Sequence, residues 1–259
     1  MLQGWAVALL VQRMNWSKFE RDLTKRLYQD KLWSVYAGPY DRVLEPFNPY
    51  RQLIQDVVAA VGDQSNMLVA DLGAGTGNVV SELRERGQRV VAFENTLGML
   101  DRLIEKVSDD AEVAVVKASV EDLEAISSES FDAVTMVNVI YALDDPFGCL
   151  QQINRILRPG GRIGISTTHR ETSLDRLLNE IEVDVERRCA SLDSEAASRM
   201  RSDFELVERI NKEIQRTIAR RHTRHDYTSF VKDAGFEITH LENSTYLDAV
   251  MLIHARKRP

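Results

Sequence analysis

Gly73, Gly75 and Gly77 recur at alternate positions in the run VADLGAGTGNVV, where a short apolar stretch gives way to an amphipathic one. Glycine suits such a junction because the backbone must turn sharply and let a ligand approach with no Cβ in the way. Amides exposed at the start of the following helix then favour an electron-rich group. Any tight strand-to-helix turn shares these features, but the spacing narrows the choice. GxGxG departs from the GxGxxG by which dinucleotide folds hold a pyrophosphate. Asp71 stands just before the loop, where a carboxylate would repel a diphosphate and orient a cationic or amino-bearing ligand. Glu94 closes the next apolar run, RVVAFE, at about the separation from which an acidic side chain accepts hydrogen bonds from a ribose diol. Together these residues describe an adenosine ligand without phosphates.

The elements that must position them follow from hydrophobic pattern. MLVADLG, RVVAFE, EVAVVKAS, FDAVTMVN and RIGIST read as continuous buried strands, and the stretches after Gly77, Thr96 and Pro146 as helices. Such alternation predicts parallel strands with helices on both faces, and ligands in such sheets bind outside the carboxyl ends of the strands. The alternation stops after Ser166. From Arg170 to Arg224 the chain is strongly charged, with Leu174, Leu177, Leu178, Ile181 and Val185, then Phe204, Val207, Ile214 and Ile218, at helical spacing. Two or three amphipathic helices are expected there. YTSFVKDAGFEITHLE and TYLDAVMLIHARK then restore a helix, a turn at Gly235 and two strands. Upstream, residues 5–32 read as a helical extension with Trp16, Phe19, Leu23 and Leu27 on one stripe. WSVYAGPYDRVLEPFNPYRQLIQDVV follows, and its prolines and tyrosines read as a loop and then a helix.

A chain of 259 residues suffices for one α/β domain with an appended lid. Its net charge of −7 opposes bulk attraction to nucleic acid or anionic lipid. The basic cluster RTIARRHTRH is either a solvated helix end or a local phosphate or RNA site. Cys149 and Cys189 are the only cysteines and show no metal-ligand spacing, so neither zinc nor a disulfide framework is expected, and a reducing, cytoplasmic setting fits. The apolar run from Trp5 to Val11 is too short to span a bilayer, and Arg13 follows it instead of preceding it, so neither a signal peptide nor a stable membrane association is expected.

Over roughly Met67 to Thr167 and Tyr227 to Arg256 the chain resembles the class I, Rossmann-like S-adenosylmethionine-dependent methyltransferases. VADLGAGTGNV is similar to the family's first motif, which implies that Gly73, Ala74 and Gly75 pack against the methionine part of S-adenosylmethionine, with Asp71 supporting the loop and Glu94 binding the ribose hydroxyls. FENTLGMLDRL resembles the second-strand segment and implies Asn95 and Met99 beside the adenine. In KASVEDLE, similar to the third motif, Ser119 stands where the family often has an Asp on the adenine amino group; Ser119 and Val120 offer a hydroxyl and backbone groups instead. FDAVTMVNVIYALDDP and LRPGGRIGIST resemble the fourth strand and the turn into the fifth. The resemblance implies a doubly wound, mostly parallel seven-stranded sheet with the last strand antiparallel. It places a helical extension and cofactor-covering loop in 1–60, the core in 61–169 and 225–259, and a helical insertion in 170–224.

Methyl transfer from a sulfonium is an in-line displacement driven largely by positioning in a water-poor site. A hydroxyl or protonated amine acceptor additionally needs a group to remove or hold its proton. Asn138 and Tyr141 lie just past the fourth strand, and His169 just past the fifth. Tyr141 is a proton-handling group or a pocket wall, and His169 a catalytic or a surface histidine. Asn138 to Tyr141 is similar to the Asn-Pro-Pro-Tyr motif of amino-group methyltransferases but lacks both prolines, which argues against nucleobase or glutamine methylation. Tyr36 and Tyr40 either cover the ligand, Tyr40 more so than Tyr28, or fasten the N-terminal helix to the core. The 170–224 insertion either closes over the acceptor or pairs with a second subunit as a homodimer. The expected acceptor is a small molecule with an O or N nucleophile. YAGPYDRVLEP resembles the start of bacterial quinone and phospholipid methyltransferases, so a lipid-like or quinone-like acceptor is a second reading. An NAD-binding oxidoreductase and a non-catalytic cofactor-binding module are the remaining alternatives.

Overall fold

The structure, a computed structural model, describes residues 16–218 and 222–258, with side chains from Leu27 onward. The Trp5–Val11 run, the stripe side chains of Trp16, Phe19 and Leu23, and the middle of the basic cluster lie outside the described residues. Seven strands form one sheet: β1 (Leu68–Leu72), β2 (Arg89–Glu94), β3 (Val113–Lys117), β4 (Phe131–Val137), β5 (Leu157–Thr167), β6 (Phe236–Thr245) and β7 (Val250–Lys257). Their spatial order is β3-β2-β1-β4-β5-β7-β6. β1 to β5 run parallel, and β7 lies antiparallel between β5 and β6. The chain winds one way from β1 to β3 and the other way from β4, so a crevice opens between the carboxyl ends of β1 and β4. Asp71 pairs in register with Ala92 on one side and Thr135 on the other, which puts it at the centre of that end.

The covering helices follow from their apolar spacing. α2 (Asn48–Ala59) starts with a proline in its first turn and buries Tyr50, Leu53, Ile54, Val57 and Val58 along one face. α3 (Asn78–Glu85), α4 (Leu97–Val107) and α5 (Pro146–Ile156) follow β1, β2 and β4. Asp145 caps α5 by accepting the Gly148 amide at 2.9 Å. The charged stretch supplies α6 (Asp175–Cys189) and α7 (Ser194–Thr217). Their apolar faces are covered within the chain, with Leu177, Ile181 and Val185 of α6 and Phe204, Val207, Ile210 and Ile214 of α7 all buried. α8 (Arg224–Asp233) opens with a capping box between Thr223 and Asp226.

The N-terminal region departs from expectation. The segment expected as a tyrosine-bearing loop is helical, part of a continuous α1 from Trp16 to Leu44 with Pro39 inside it. An interior proline costs about 3 kcal/mol because it removes a donor and clashes with the preceding turn. Val43 and Leu44 are buried at 0% and 4% exposure, and at about 1.5–3 kcal/mol each their burial offsets that cost. Leu27, expected on a buried stripe, is 61% exposed.

α1 lies across the carboxyl end of the sheet and is held at several points. Arg42 donates Nε and Nη2 to the Asp203 carboxylate of α7, both at 2.6 Å. Arg188 of α6 donates to the main-chain oxygens of Arg42 and Val43 at 3.0 and 2.9 Å. Over α4 the approach is close enough to need glycine: a Cβ on Gly98 would stand 2.7 Å from Ser34 Cα and 2.8 Å from Ser34 O. Gly98→Ala is therefore expected to lift α1 and to lower unfolding stability by about 1–3 kcal/mol, read from urea denaturation; an unchanged midpoint would contradict this packing.

Candidate active site

The glycine loop is built into the ends of two strands. Gly73 and Ala74 donate their amides to Phe93 O at 2.8 and 2.9 Å, carrying the chain sideways across β2. Gly73 has φ +74°, and a Cβ there would overlap the Val139 side chain. Gly75 differs in kind: at φ +56° its missing Cβ would meet no atom within 4 Å, so the backbone here borders open space. The Glu94 carboxylate holds the loop from the tip of β2. Its Oε2 accepts the Gly75 amide at 2.9 Å, and its Oε1 accepts the Asn95 and Thr96 amides at 2.9 and 2.8 Å. A carboxylate has about four acceptor positions, so this arrangement leaves one on Oε2.

Asp71 lies beneath the loop and not on the cavity wall. Its Oδ1 accepts the Thr135 hydroxyl at 2.7 Å, while Oδ2 has no hydrogen-bond partner among the described residues. Burial lifts its pKa to about 7, the Thr135 hydrogen bond opposing and the Glu94 charge adding to the rise.

Above the loop is a cavity of about 880 Å³. Tyr40, Gly73, Ala74, Gly75, Glu94, Asn95, Met99, Ser119, Val120, Asn138 and Tyr141 all line it. Asn138 takes φ +54°, a left-handed conformation that asparagine tolerates, as the chain turns off β4. Ser119 Oγ accepts the Glu121 amide at 3.2 Å, which orients the hydroxyl. Glu121 Oε1 in turn accepts the amides of Asp144 and Asp145 at 2.9 and 3.1 Å, joining the loops after β3 and β4. Glu121, Asp122 and Asp144 make this end of the cavity acidic.

The opposite wall is aromatic. Trp33, Tyr36 and Tyr40 follow one another along α1 with ring centroids 5.9 and 5.1 Å apart, and Tyr50 of α2 continues the series at 5.4 Å from Tyr40. The Tyr40 hydroxyl donates to the Tyr50 hydroxyl at 2.6 Å. The Tyr36 hydroxyl accepts Asn211 Nδ2 of α7 at 2.6 Å. Burial pushes the pKa of Tyr36, Tyr40 and Tyr141 up, and that of Tyr50 to about 12, so these hydroxyls stay protonated at neutral pH.

His169 is placed elsewhere. Its ring is buried beyond β5 with Glu171 Oε2 at 3.0 Å from Nδ1, and it is not among the residues lining the cavity. Burial and the nearby Arg224 charge depress its pKa, against the raising effect of Glu171. Tyr28 also faces away from the cavity, where it donates to Glu213 at 3.1 Å.

Several residues at the site escape the sequence reading. Trp33 is one: it shares a helix face with the expected Tyr36 and Tyr40 by three- and four-residue spacing, a signal hidden by reading the proline-bearing segment as a loop. Asp41 secures the glycine loop to α1 by accepting the Thr76 hydroxyl at 2.5 Å. Asp122 supplies a carboxylate near Ser119, and Asn211 reaches the cavity from α7.

Residues 70–165 match the family described as "Methyltransferase domain". The chain is 30% identical over 139 residues to a ubiquinone biosynthesis O-methyltransferase from Xanthomonas oryzae pv. oryzae, an alignment covering 53% of this chain and 56% of that protein. It is 36% identical over 147 residues to a demethylmenaquinone methyltransferase from Clavibacter sepedonicus, covering 56% and 60%. The chain thus spans under two thirds of the length of these relatives. Among solved structures, the Burkholderia thailandensis 1,6-didemethyltoxoflavin-N1-methyltransferase superposes with a TM-score of 0.57 at 18% identity, covering 90% of each chain, a likeness of fold. Residues 70–165 are therefore a methyltransferase domain, carried in the seven-stranded sheet of the class I, Rossmann-like methyltransferases.

Proposed function

We propose that this chain transfers a methyl group from S-adenosylmethionine to a small-molecule acceptor by in-line displacement inside the cavity beneath α1 and α7. The observation that carries the reading is the bond between Gly75 N and Glu94 Oε2, which sets a Cβ-free backbone and a carboxylate with spare acceptor capacity side by side on one cavity wall. These residues fit the donor. Open space at Gly75 suits a methionine moiety, Glu94 a ribose hydroxyl, and the Ser119, Val120 and Asp122 end an adenine. Tyr40 and its aromatic neighbours offer π faces to a cation. When bound, S-adenosylmethionine supplies an electrophilic methyl group on a cationic sulfur. The protein's contribution is to fix the acceptor, to exclude water with the α1 and α7 roof, and to present neutral hydroxyls from Tyr36 and Tyr141. At about 880 Å³ the cavity lies toward the upper end of ordinary ligand pockets, roughly 300–1,000 Å³, which supports joint occupancy by donor and acceptor.

On this reading 61–169 and 225–259 form the catalytic core, 1–60 covers the donor, and 170–224 is the acceptor lid. Burial of the α6 and α7 apolar faces within the chain supports a lid over a homodimer contact. No described helix is long and apolar enough to cross a membrane. Cys149 and Cys189 are buried free thiols, which suits a cytoplasmic enzyme. The aromatic wall, taken with the similarity to a ubiquinone biosynthesis O-methyltransferase and a demethylmenaquinone methyltransferase, favours a quinone-type ring as the second, narrower reading of the acceptor.

Calorimetry with S-adenosylhomocysteine is the direct test, and NADH serves as the control; binding of NADH alone would overturn the assignment. Gly75→Ala should weaken S-adenosylhomocysteine at least tenfold by filling the cradle, while the strain of its positive φ costs the fold only about 1–2 kcal/mol. A cationic ligand entering above Asp71 favours the ionised carboxylate. Since that group titrates at about 7, affinity for S-adenosylmethionine should rise as pH increases from 6 to 8. Asp71→Asn should flatten that rise; a pH-independent affinity in the unmodified protein would rule out the coupling. Transfer of labelled methyl from the donor into a fractionated metabolite extract would then reveal the acceptor.

A further inference from the structure

Asn211 stands on α7 where the sequence pattern calls for an apolar residue. Phe204, Val207, Ile214 and Ile218 recur at helical spacing and are all buried, and Asn211 occupies the position between Val207 and Ile214 on that same stripe. A polar amide there is unfavourable both for helix propensity and for desolvation unless it is hydrogen-bonded. Its Nδ2 donates to the Tyr36 hydroxyl at 2.6 Å and to Val207 O at 2.8 Å. A main-chain carbonyl only accepts, so Nδ2 must be the atom facing Val207, and the orientation of the amide is fixed by the network. Both amide hydrogens are thereby engaged. Asn211 Oδ1 makes no hydrogen bond to another described residue and is not enclosed by protein, while the residue borders the cavity beside Tyr36 and Ile214.

We propose that Asn211 selects the methyl acceptor, its side-chain carbonyl receiving an N–H or O–H from a flat, ring-bearing molecule seated against Trp33, Tyr36 and Tyr141. The proposal rests on the methyl-transfer reading for which end of the cavity takes the acceptor. The half-buried Trp33 supplies planar apolar area, the edges of the nearly buried Tyr36 and Tyr141 close the wall beside it, and Tyr40 packs edge-to-face against Tyr36 at 5.1 Å. The buried tyrosine hydroxyls are un-ionised, so this wall carries no formal charge and gives an anionic acceptor no counter-ion. A fixed neutral acceptor among neutral rings favours a ligand that donates a hydrogen bond. An analogue lacking that donor leaves Oδ1 desolvated and unpaired, which is the arrangement by which polar sites discriminate most sharply.

The test uses the full chain and a matched pair of probes, 2-naphthol and its methyl ether 2-methoxynaphthalene, titrated with and without saturating S-adenosylhomocysteine. Naphthol is expected to bind about tenfold more tightly than the ether, in line with one net hydrogen bond. Asn211→Leu restores the apolar stripe of α7 and should fold; it should bring naphthol down to the affinity of the ether while leaving the ether and S-adenosylhomocysteine unchanged. Tyr36→Phe, which frees one amide hydrogen, should reduce the preference without abolishing it. Equal binding of the two probes, binding of neither, or a preference that survives Asn211→Leu would overturn the proposal. Failure of S-adenosylhomocysteine to bind would instead sink the donor assignment, and the probe comparison on the free protein would still decide the role of Asn211.

Discussion

One carboxylate organises the carboxyl end of the sheet. Glu94 ends β2 and gathers the amides of Gly75, Asn95 and Thr96, so a single side chain fixes the loop after β1, the turn after β2 and the N-cap residue of α4. Charge-assisted hydrogen bonds to backbone amides are roughly twice as strong as neutral ones, and three on one group make the arrangement stiff. With Glu94 in place, Gly75 keeps its left-handed conformation and the wall beside it stays open. Asp71, one strand over and 1% exposed, experiences that charge as part of the reason its own ionisation is resisted. The two acids thus do different things: one builds the wall by accepting three backbone amides, and the other sits below it with an acidity that a bound cation would alter.

The roof is tied to this floor rather than merely resting on it. Asp41 of α1 accepts the Thr76 hydroxyl of the glycine loop, Tyr40 reaches Tyr50 of α2, and Tyr36 reaches Asn211 of α7. A helix carrying an interior proline would be a poor independent element, yet here its inner face is fixed by aromatic contacts and its C-terminal end by the Arg42–Asp203 ion pair. The insertion after β5 contributes to the same enclosure, so elements distant in sequence meet only because the sheet brings their ends together.

The core was legible from sequence because its signals are local. Strand runs such as RVVAFE bury both faces, the glycine loop needs its φ angles within three or four residues, and Glu94 falls at the end of its strand. Gly73, Gly75, Glu94, Asn138 and Tyr141 meet at one cavity because each stands at or just past a strand end, whereas Ser119 was placed there by the family resemblance alone. What local signals could not convey was anything decided by tertiary packing. Pro39 argues for a helix stop until the burial of Val43 and Leu44 is known, and Asn211 reads as one polar residue in a charged helix until Tyr36 is seen opposite it. His169 illustrates the converse: a histidine just past a strand end suggests chemistry, but the side chain turns into the protein beside Glu171.

The turn between β6 and β7 carries Tyr246, Leu247 and Asp248 at φ +51°, +57° and +67°. No one of these residues is glycine, and each left-handed residue costs about 1–2 kcal/mol, so the turn is held from outside. Tyr246 packs against Phe47 and Tyr50, and Asp248 pairs with Arg176 of α6 at 2.6 Å. Hairpin tips are ordinarily where a chain absorbs insertions and deletions. This one is wedged between the aromatic wall and α6, so a change of length here would propagate to the cavity, and family members that share the enclosure should share the length of this turn.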